Sequence, residues 1–238
     1  MPEFPKLATP PLREALVDVR LRDEIPAAII PKFRAPKGFP VVTTMKQGQF
    51  QFNVGVNKPS EAHVVQEAIL GQRYDREDGS EVVQLRRNGI TYSALKNYPG
   101  WEVLRDSARE IWRDFITLTD DIVVSRLAVR YVNTITIPAG ADMDEYLTNG
   151  PRVPALLPQV VTSFMHRMLI PIEELKLNVI VTQTLEHASP VILDIDVFTE
   201  RSFEALSDEI WTTLDELRGI ADRTFFSSLT EKVIESYR

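Results

Sequence analysis

The stretch 121–137, DIVVSRLAVRYVNTITI, constrains the fold more than any other feature of the chain, because its side chains alternate in character. One face would carry a mostly apolar set: Leu127, Val129, Tyr131, Asn133, Ile135 and Ile137. The other face would carry Arg126 and Arg130. A period of two is typical of a β-strand that buries one face. The chain must therefore supply neighbouring strands and a covering layer for this segment.

Three further stretches predict strands by the same alternation, at 13–21, 175–185 and 190–198. In REALVDVRL (13–21) alternate positions are apolar, and the polar face carries Glu14, Asp18 and Arg20. Strands of this kind pack one face on a core and leave the other in water. The period thus predicts a sheet with one polar face.

Two hairpins are predicted. The runs 63–75 and 81–95 flank Asp78-Gly79, and glycine accepts the positive φ that tight hairpin turns need. Gly89, inside the second run, indicates a bulge or a break. The runs 175–185 and 190–198 are joined by only four residues, EHAS, and read as the second hairpin.

Each hairpin is followed by a stretch of helical period. The apolar positions are Trp101, Leu104, Ala108, Ile111, Trp112 and Phe115 in one stretch, and Phe203, Leu206, Ile210, Leu214 and Leu217 in the other. Ser202 is predicted to cap the second helix. Short helices are predicted near 27–33, 142–147 and 156–166.

Residues 1–119 and 120–238 share one order of elements: a strand, a short helical excursion, a strand hairpin and a long helix. The order is repeated although the letters are not. The sequence therefore predicts an α+β fold built from a duplicated unit. The two halves would form one compact globular domain, with a curved antiparallel sheet and long amphipathic helices on one face.

Composition excludes several classes of site. There is no cysteine, so disulfides, thiol nucleophiles and cysteine-ligated metals are excluded. Net charge is −7: residues 1–119 carry 17 basic and 15 acidic residues, and residues 120–238 carry 10 and 19. An acidic second half disfavours a general grip on nucleic acid. The absence of a signal peptide or an apolar span predicts a cytoplasmic protein with no membrane contact.

Four residues are candidates for binding a ligand or a partner. Arg126 and Arg130 share a strand face to which a neighbouring strand could add Arg86, and guanidinium groups bind carboxylates or phosphates bidentately. The alternative is that these arginines pair with the chain's own acids, such as Asp194 and Asp196. Asn133, among apolar residues, either contacts a ligand or satisfies backbone groups and fixes strand register.

Catalytic motifs are scarce. Asp194 and Asp196 form a D-x-D that could hold Mg²⁺, but alternation alone also predicts polar residues there. His63, His166 and His187 have no metal-site spacing, and no glycine-rich phosphate loop or nucleophile elbow is present. No cofactor is predicted. Base-stacking aromatics are limited to Phe50 and Phe52, for which a core or subunit interface is the simpler interpretation.

Several segments together resemble a known group of proteins. They are PPLREA near the start, the R-x-x-x-R-Y-x-N pattern formed by Arg126, Arg130, Tyr131 and Asn133, and FFSSLT near the end. They resemble a sporadically distributed family of functionally uncharacterised bacterial proteins of about this length. The resemblance implies an accessory, mobile-element or defence-linked role, and it supplies no catalytic residue.

Three functional hypotheses follow. The first is a non-enzymatic interaction or regulatory protein that binds a protein partner through its sheet face or its acidic second half, and self-associates. The second is a sensor of a small anion or nucleotide held by Arg126 and Arg130. The third is a metal-dependent nuclease or phosphohydrolase that uses Asp194 and Asp196.

Overall fold

The computed structural model describes residues 4–53, 61–118, 122–138, 140–186 and 190–238, and for 48–53 and 61–67 it describes the backbone alone. The strands are β1 Leu12–Leu21, β2 Val41–Asn53, β3 Glu61–Asp75, β4 Glu81–Arg86, β5 Gly89–Ala94, β6 Val123–Ile135, β7 Phe164–Ile172, β8 Leu177–Leu185, β9 Val191–Thr199 and β10 Phe203–Glu204. The α-helices are α1 Trp101–Ile116, α2 Glu209–Ser228 and α3 Glu231–Glu235. Short 3₁₀ turns span Ala27–Lys32, Met143–Glu145 and Glu173–Leu175.

All strands belong to one curved antiparallel sheet, in the order β2-β3-β4-β5-β1-β6-β9-β8-β7, with β10 beside β6. The sheet is open, since β2 and β7 form its two ends. The pairing of β1 with β6 at the centre joins the strands of the first half to those of the second. The prediction of an antiparallel sheet accompanied by helices is therefore confirmed.

One face of the sheet forms the core. Its side chains include Val17, Val129 and Ile195, which are completely or almost completely buried. Helix α1 packs on β1 and β5, and α2 packs on β6 and β9. Each fully buried side chain of this size contributes roughly 1.5–3 kcal/mol to the free energy of unfolding, so this layer holds the fold together. None of the described helices is long and apolar enough to cross a membrane.

The two predicted hairpins are present. Gly79, with φ +65°, lies in the turn between β3 and β4, and β8 pairs with β9. The run 81–95 breaks as well: it forms two antiparallel strands joined by Arg87 and Asn88, and Gly89 opens the second of them. Gly89 adopts a φ of +137°, which favours glycine.

Two local predictions are wrong. The last long helix begins at Glu209, because Phe203 and Glu204 instead pair with β6 as a short strand. Ser202 is therefore not its cap, and Leu206 is 84% exposed rather than buried. No helix forms near 156–166: residues 156–163 are turns and irregular backbone, and the edge strand β7 begins at Phe164. An edge strand has a neighbour on one side only, so the pattern of its apolar residues does not mark it clearly.

Buried tyrosines make the fold sensitive to alkali. Burial raises the pKa of Tyr74 and of Tyr92 from the ordinary 10.0 to about 12. The unfolded chain therefore loses these protons first, and stability falls as pH rises from about 10 toward 12. We expect the free energy of unfolding to be lower at pH 11 than at pH 9 by about 3 kcal/mol from these two groups. Urea unfolding of the wild type and of the Tyr74→Phe, Tyr92→Phe variant measures the difference. An identical loss in that variant would contradict the assignment.

Candidate functional site

The face of the sheet opposite the core contains an open depression of about 580 Å³. It lies over the central strands β4, β5, β1, β6 and β9. It is lined mainly by polar and charged side chains: Glu14, Leu16, Asp18, Arg20, Gln84, Arg86, Asn88, Thr91, Ser93, Arg126, Ala128, Arg130 and Asp196. Strand alternation places these residues opposite the core, as period two requires.

Arg126 links three strands across the floor of the depression. Its Nη1 donates to Asp18 Oδ2 on β1 at 3.1 Å, and its Nη2 donates to Asp196 Oδ2 on β9 at 2.9 Å. Its guanidinium also lies 4.5 Å from the centre of the Phe198 ring, whose face attracts a positive charge. Both Nη groups of Arg126 therefore donate hydrogen bonds to aspartates of the same chain.

Arg130 is paired in the same way. Its Nε donates to Asp194 Oδ1 at 2.7 Å, and its Nη2 donates to the other oxygen of that carboxylate. This two-bond pairing raises the pKa of Arg130. The alternative considered for Arg126 and Arg130, pairing with the chain's own acids, is the arrangement observed.

Asp194 and Asp196 consequently each accept hydrogen bonds from an arginine, Arg130 and Arg126 respectively. Burial raises the pKa of Asp196, and the guanidiniums of Arg126 and Arg130 offset that effect only in part. Within the described part of the chain, no three histidine, aspartate or glutamate side chains cluster as metal ligands would. In the described structure, the two aspartates of the D-x-D motif on β9 form ion pairs with the arginines of β6.

Asp18 is the centre of this network. Its carboxylate accepts hydrogen bonds from Arg20 Nε at 2.7 Å, from Arg126 Nη1, and from Thr91 Oγ1 at 2.6 Å. Its side chain is almost fully buried although it lies on the polar face. The alternation in 13–21 indicates that Asp18 is polar-facing, but only the pairing of β1 with β5 and with β6 reveals its partners Thr91 and Arg126.

Arg86 differs from the other arginines of the depression. It is half-buried, it donates to Gln84 Oε1, and no carboxylate of the described residues lies within 4 Å of it. Burial and then the positive charge of Arg20 lower the pKa of Arg86. A guanidinium nonetheless stays protonated, so this is a partly desolvated cation with no counter-charge in contact.

Asn133 is not part of the depression. It lies on the core face, 3% exposed, and its Nδ2 donates to the backbone carbonyl of Leu193 at 3.2 Å. The register between β1 and β6 shifts beside it, between Leu12 and Glu14. Arg126, Arg130 and Arg86 are therefore brought together, whereas Asn133 joins two strands on the other side of the sheet.

The remaining candidates lie elsewhere or outside the described residues. His166 is on β7, away from the depression, while His187 and the side chains of His63, Phe50 and Phe52 lie outside the described part of the chain. No known protein-family model matches the chain, and no curated protein matches it either.

Proposed function

We propose that this chain is a non-enzymatic binding protein that docks a protein partner on the open face of its sheet. The observation that carries the proposal is the contrast between the two faces. Helices α1 and α2 cover the core face, while on the opposite face the described charged residues other than Asp18, such as Arg126 and Asp196, remain half-buried or exposed. This open face comprises the depression and the same-facing residues of the outer strands.

The dimensions of the open face suit a protein. Nine strands stand side by side, and at a spacing of ~4.8 Å they span about 38 Å. The short central strand β4 has six residues, or about 20 Å. The product is close to the ~800 Å² that one partner contributes to a standard protein interface. A small molecule would occupy only the central depression.

The open face presents both paired charges and exposed apolar side chains. The centre is a ladder of ion pairs, and exposed apolar side chains flank it. Val41 lies toward the β2 end, and Met165 and Leu169, 74% and 56% exposed, lie on β7 at the other end. A partner could bury the apolar side chains and complement the charges. A second copy of this chain is the other possible occupant.

The order of paired strands in the two halves of the chain corresponds. In the first half the pairing runs β1-β5-β4-β3, and in the second half it runs β6-β9-β8-β7. In each half a helix of at least 16 residues comes after the last paired strands: α1 follows β4 and β5, and α2 follows β8, β9 and the short β10. We infer a duplicated unit from this correspondence. Together with the resemblance noted above, it supports a partner in an accessory or defence-linked bacterial system.

Native mass spectrometry of the protein purified from its own host tests the proposal. We expect the wild-type chain to carry a second polypeptide. Leu16→Trp places a bulky ring in the depression and should release that polypeptide by steric exclusion. The matched control, Val103→Trp, alters a half-exposed residue of α1 on the helical side and should retain it.

Two outcomes would count against docking on the open face. One is a wild-type chain that carries no polypeptide. The other is a polypeptide retained equally by Leu16→Trp and Val103→Trp. Circular dichroism of both variants establishes that each is folded before the comparison is made. A complex consisting of two identical chains, lost only in Leu16→Trp, would identify the partner as a second copy.

A further inference from the structure

We propose that Arg86 and Arg20 form an oxyanion-binding site within the open face, one that receives a phosphate or carboxylate group. This inference rests on the proposed function and names the chemical group that the docking face recognises. The site differs from Arg126 and Arg130, each of which donates two hydrogen bonds to aspartates. Arg20 donates one to Asp18, and Arg86 donates none to a described carboxylate.

Register places the two arginines on either side of a glycine. Arg86 on β4 pairs with Gly89 on β5, and Gly89 pairs with Arg20 on β1. On its other side Arg86 pairs with Gly71 on β3. No side chain therefore stands directly beside Arg86 on either neighbouring strand. Two strand spacings, ~9.6 Å, separate the backbones of Arg86 and Arg20, which leaves space for a small anion between their side chains.

Backbone packing keeps both glycine positions bare. A Cβ on Gly89 would lie 2.0 Å from the carbonyl oxygen of Val19, and a Cβ on Gly71 would lie 2.0 Å from that of Leu85. Neither position accepts a side chain without movement of a neighbouring strand. The gap around Arg86 is thus built into the sheet rather than left by a chance surface rotamer.

The charges at this end of the depression do not balance. Asp18 and Asp196 are the carboxylates in contact with Arg20 and Arg126, so two acids serve two arginines, with Asp18 shared between them. Arg86 adds a third positive charge with no described carboxylate in contact. The local excess is one positive charge, located beside Arg20.

An oxyanion is the group that fits this arrangement. Guanidinium groups offer paired N–H donors that match the oxygens of carboxylate or phosphate. Asn88 lies at the same end, where its Oδ1 already accepts from Arg20 Nη1 at 3.0 Å and so orients that guanidinium. A metal cation is disfavoured by the excess positive charge.

NMR of arginine Nε–Hε groups tests the site with inorganic phosphate as the probe, at constant ionic strength. We expect saturable shifts at Arg86 and Arg20, and affinity weaker by at least about tenfold in Arg86→Gln, as for loss of a charged hydrogen bond. Acetate, titrated in the same way, reports on a carboxylate. The matched control, Arg113→Gln, changes an exposed arginine of α1 and should leave the titration unchanged.

The result that overturns the site is the absence of saturable shifts with both probes, or equal affinity in Arg86→Gln. Native mass spectrometry of Arg86→Gln from the host then identifies the source. Loss of a polypeptide means that the partner carries the anion, and loss of a small mass means a free metabolite. Phosphate binding without any bound polypeptide would sustain the anion site while contradicting the docking function. A polypeptide that stays bound in Arg86→Gln, together with no response to phosphate or acetate, would sustain the docking function while contradicting the anion site.

Discussion

Replacing Asp18 by asparagine is expected to lower the free energy of unfolding by about 3 kcal/mol, because it leaves Arg20 without its carboxylate partner and Arg126 with Asp196 alone. Asp18 is the shared acceptor for Arg20, Arg126 and Thr91. The two arginines are about one-quarter exposed, so water compensates part of the loss. This places the expected value near the lower end of the range for buried pairs. Urea unfolding followed by circular dichroism measures it.

Glu145→Gln is the control for Asp18→Asn, since it also removes one carboxylate, but from a single exposed ion pair. Glu145 pairs with Lys232, and both side chains are more than half exposed. Exposed pairs contribute less than about 1 kcal/mol. If Asp18→Asn cost no more than Glu145→Gln, the ladder across β1, β6 and β9 would not be a stabilising element of the sheet.

Gly89→Ala is expected to destabilise the protein by at least about 3 kcal/mol, through backbone strain and steric overlap together. The added methyl would lie 2.0 Å from the carbonyl oxygen of Val19, at a φ of +137°. Relief requires β5 to move away from β1, the strand at the centre of the sheet. Thermal and urea unfolding of the purified variant measure the loss.

Gly150→Ala is the comparison for Gly89→Ala. At Gly150 a Cβ would meet its nearest neighbour at 3.5 Å, an ordinary contact distance. We expect the free energy of unfolding to change by less than about 1 kcal/mol there. Alanine gives the unfolded chain fewer conformations than glycine does, which favours the folded state slightly. Equal stability of the two variants would contradict the close approach of β5 to β1.

Much of the sheet could be predicted because each central strand has one buried and one polar face. Alternation in β1, β6, β8 and β9 follows the period of two closely, and the aromatic stripe of α1 follows the helical period. Edge strand β7 is not predicted by alternation, because it lacks a second neighbour and buries neither face fully. The helical period predicts too early a start for α2, because Phe203 is buried from the short strand β10, which pairs with β6.

The candidate site was predictable only as a set of arginines. Residue type and alternation indicate that Arg126 and Arg130 share a polar face. Their pairing depends on contacts between residues that are distant in sequence: Arg126 and Asp18 are 108 residues apart. Likewise, Arg86 is distinguished by its neighbours: it pairs with two glycines and contacts no described carboxylate. This depends on the register of four strands.

The most direct test of the docking face is native mass spectrometry of three forms isolated from the host: wild type, Leu16→Trp and Val103→Trp. We expect a polypeptide bound to the wild type and to Val103→Trp, and its absence from folded Leu16→Trp. A polypeptide that survives Leu16→Trp while Val103→Trp loses it would move the interface to the helical layer and contradict the central claim.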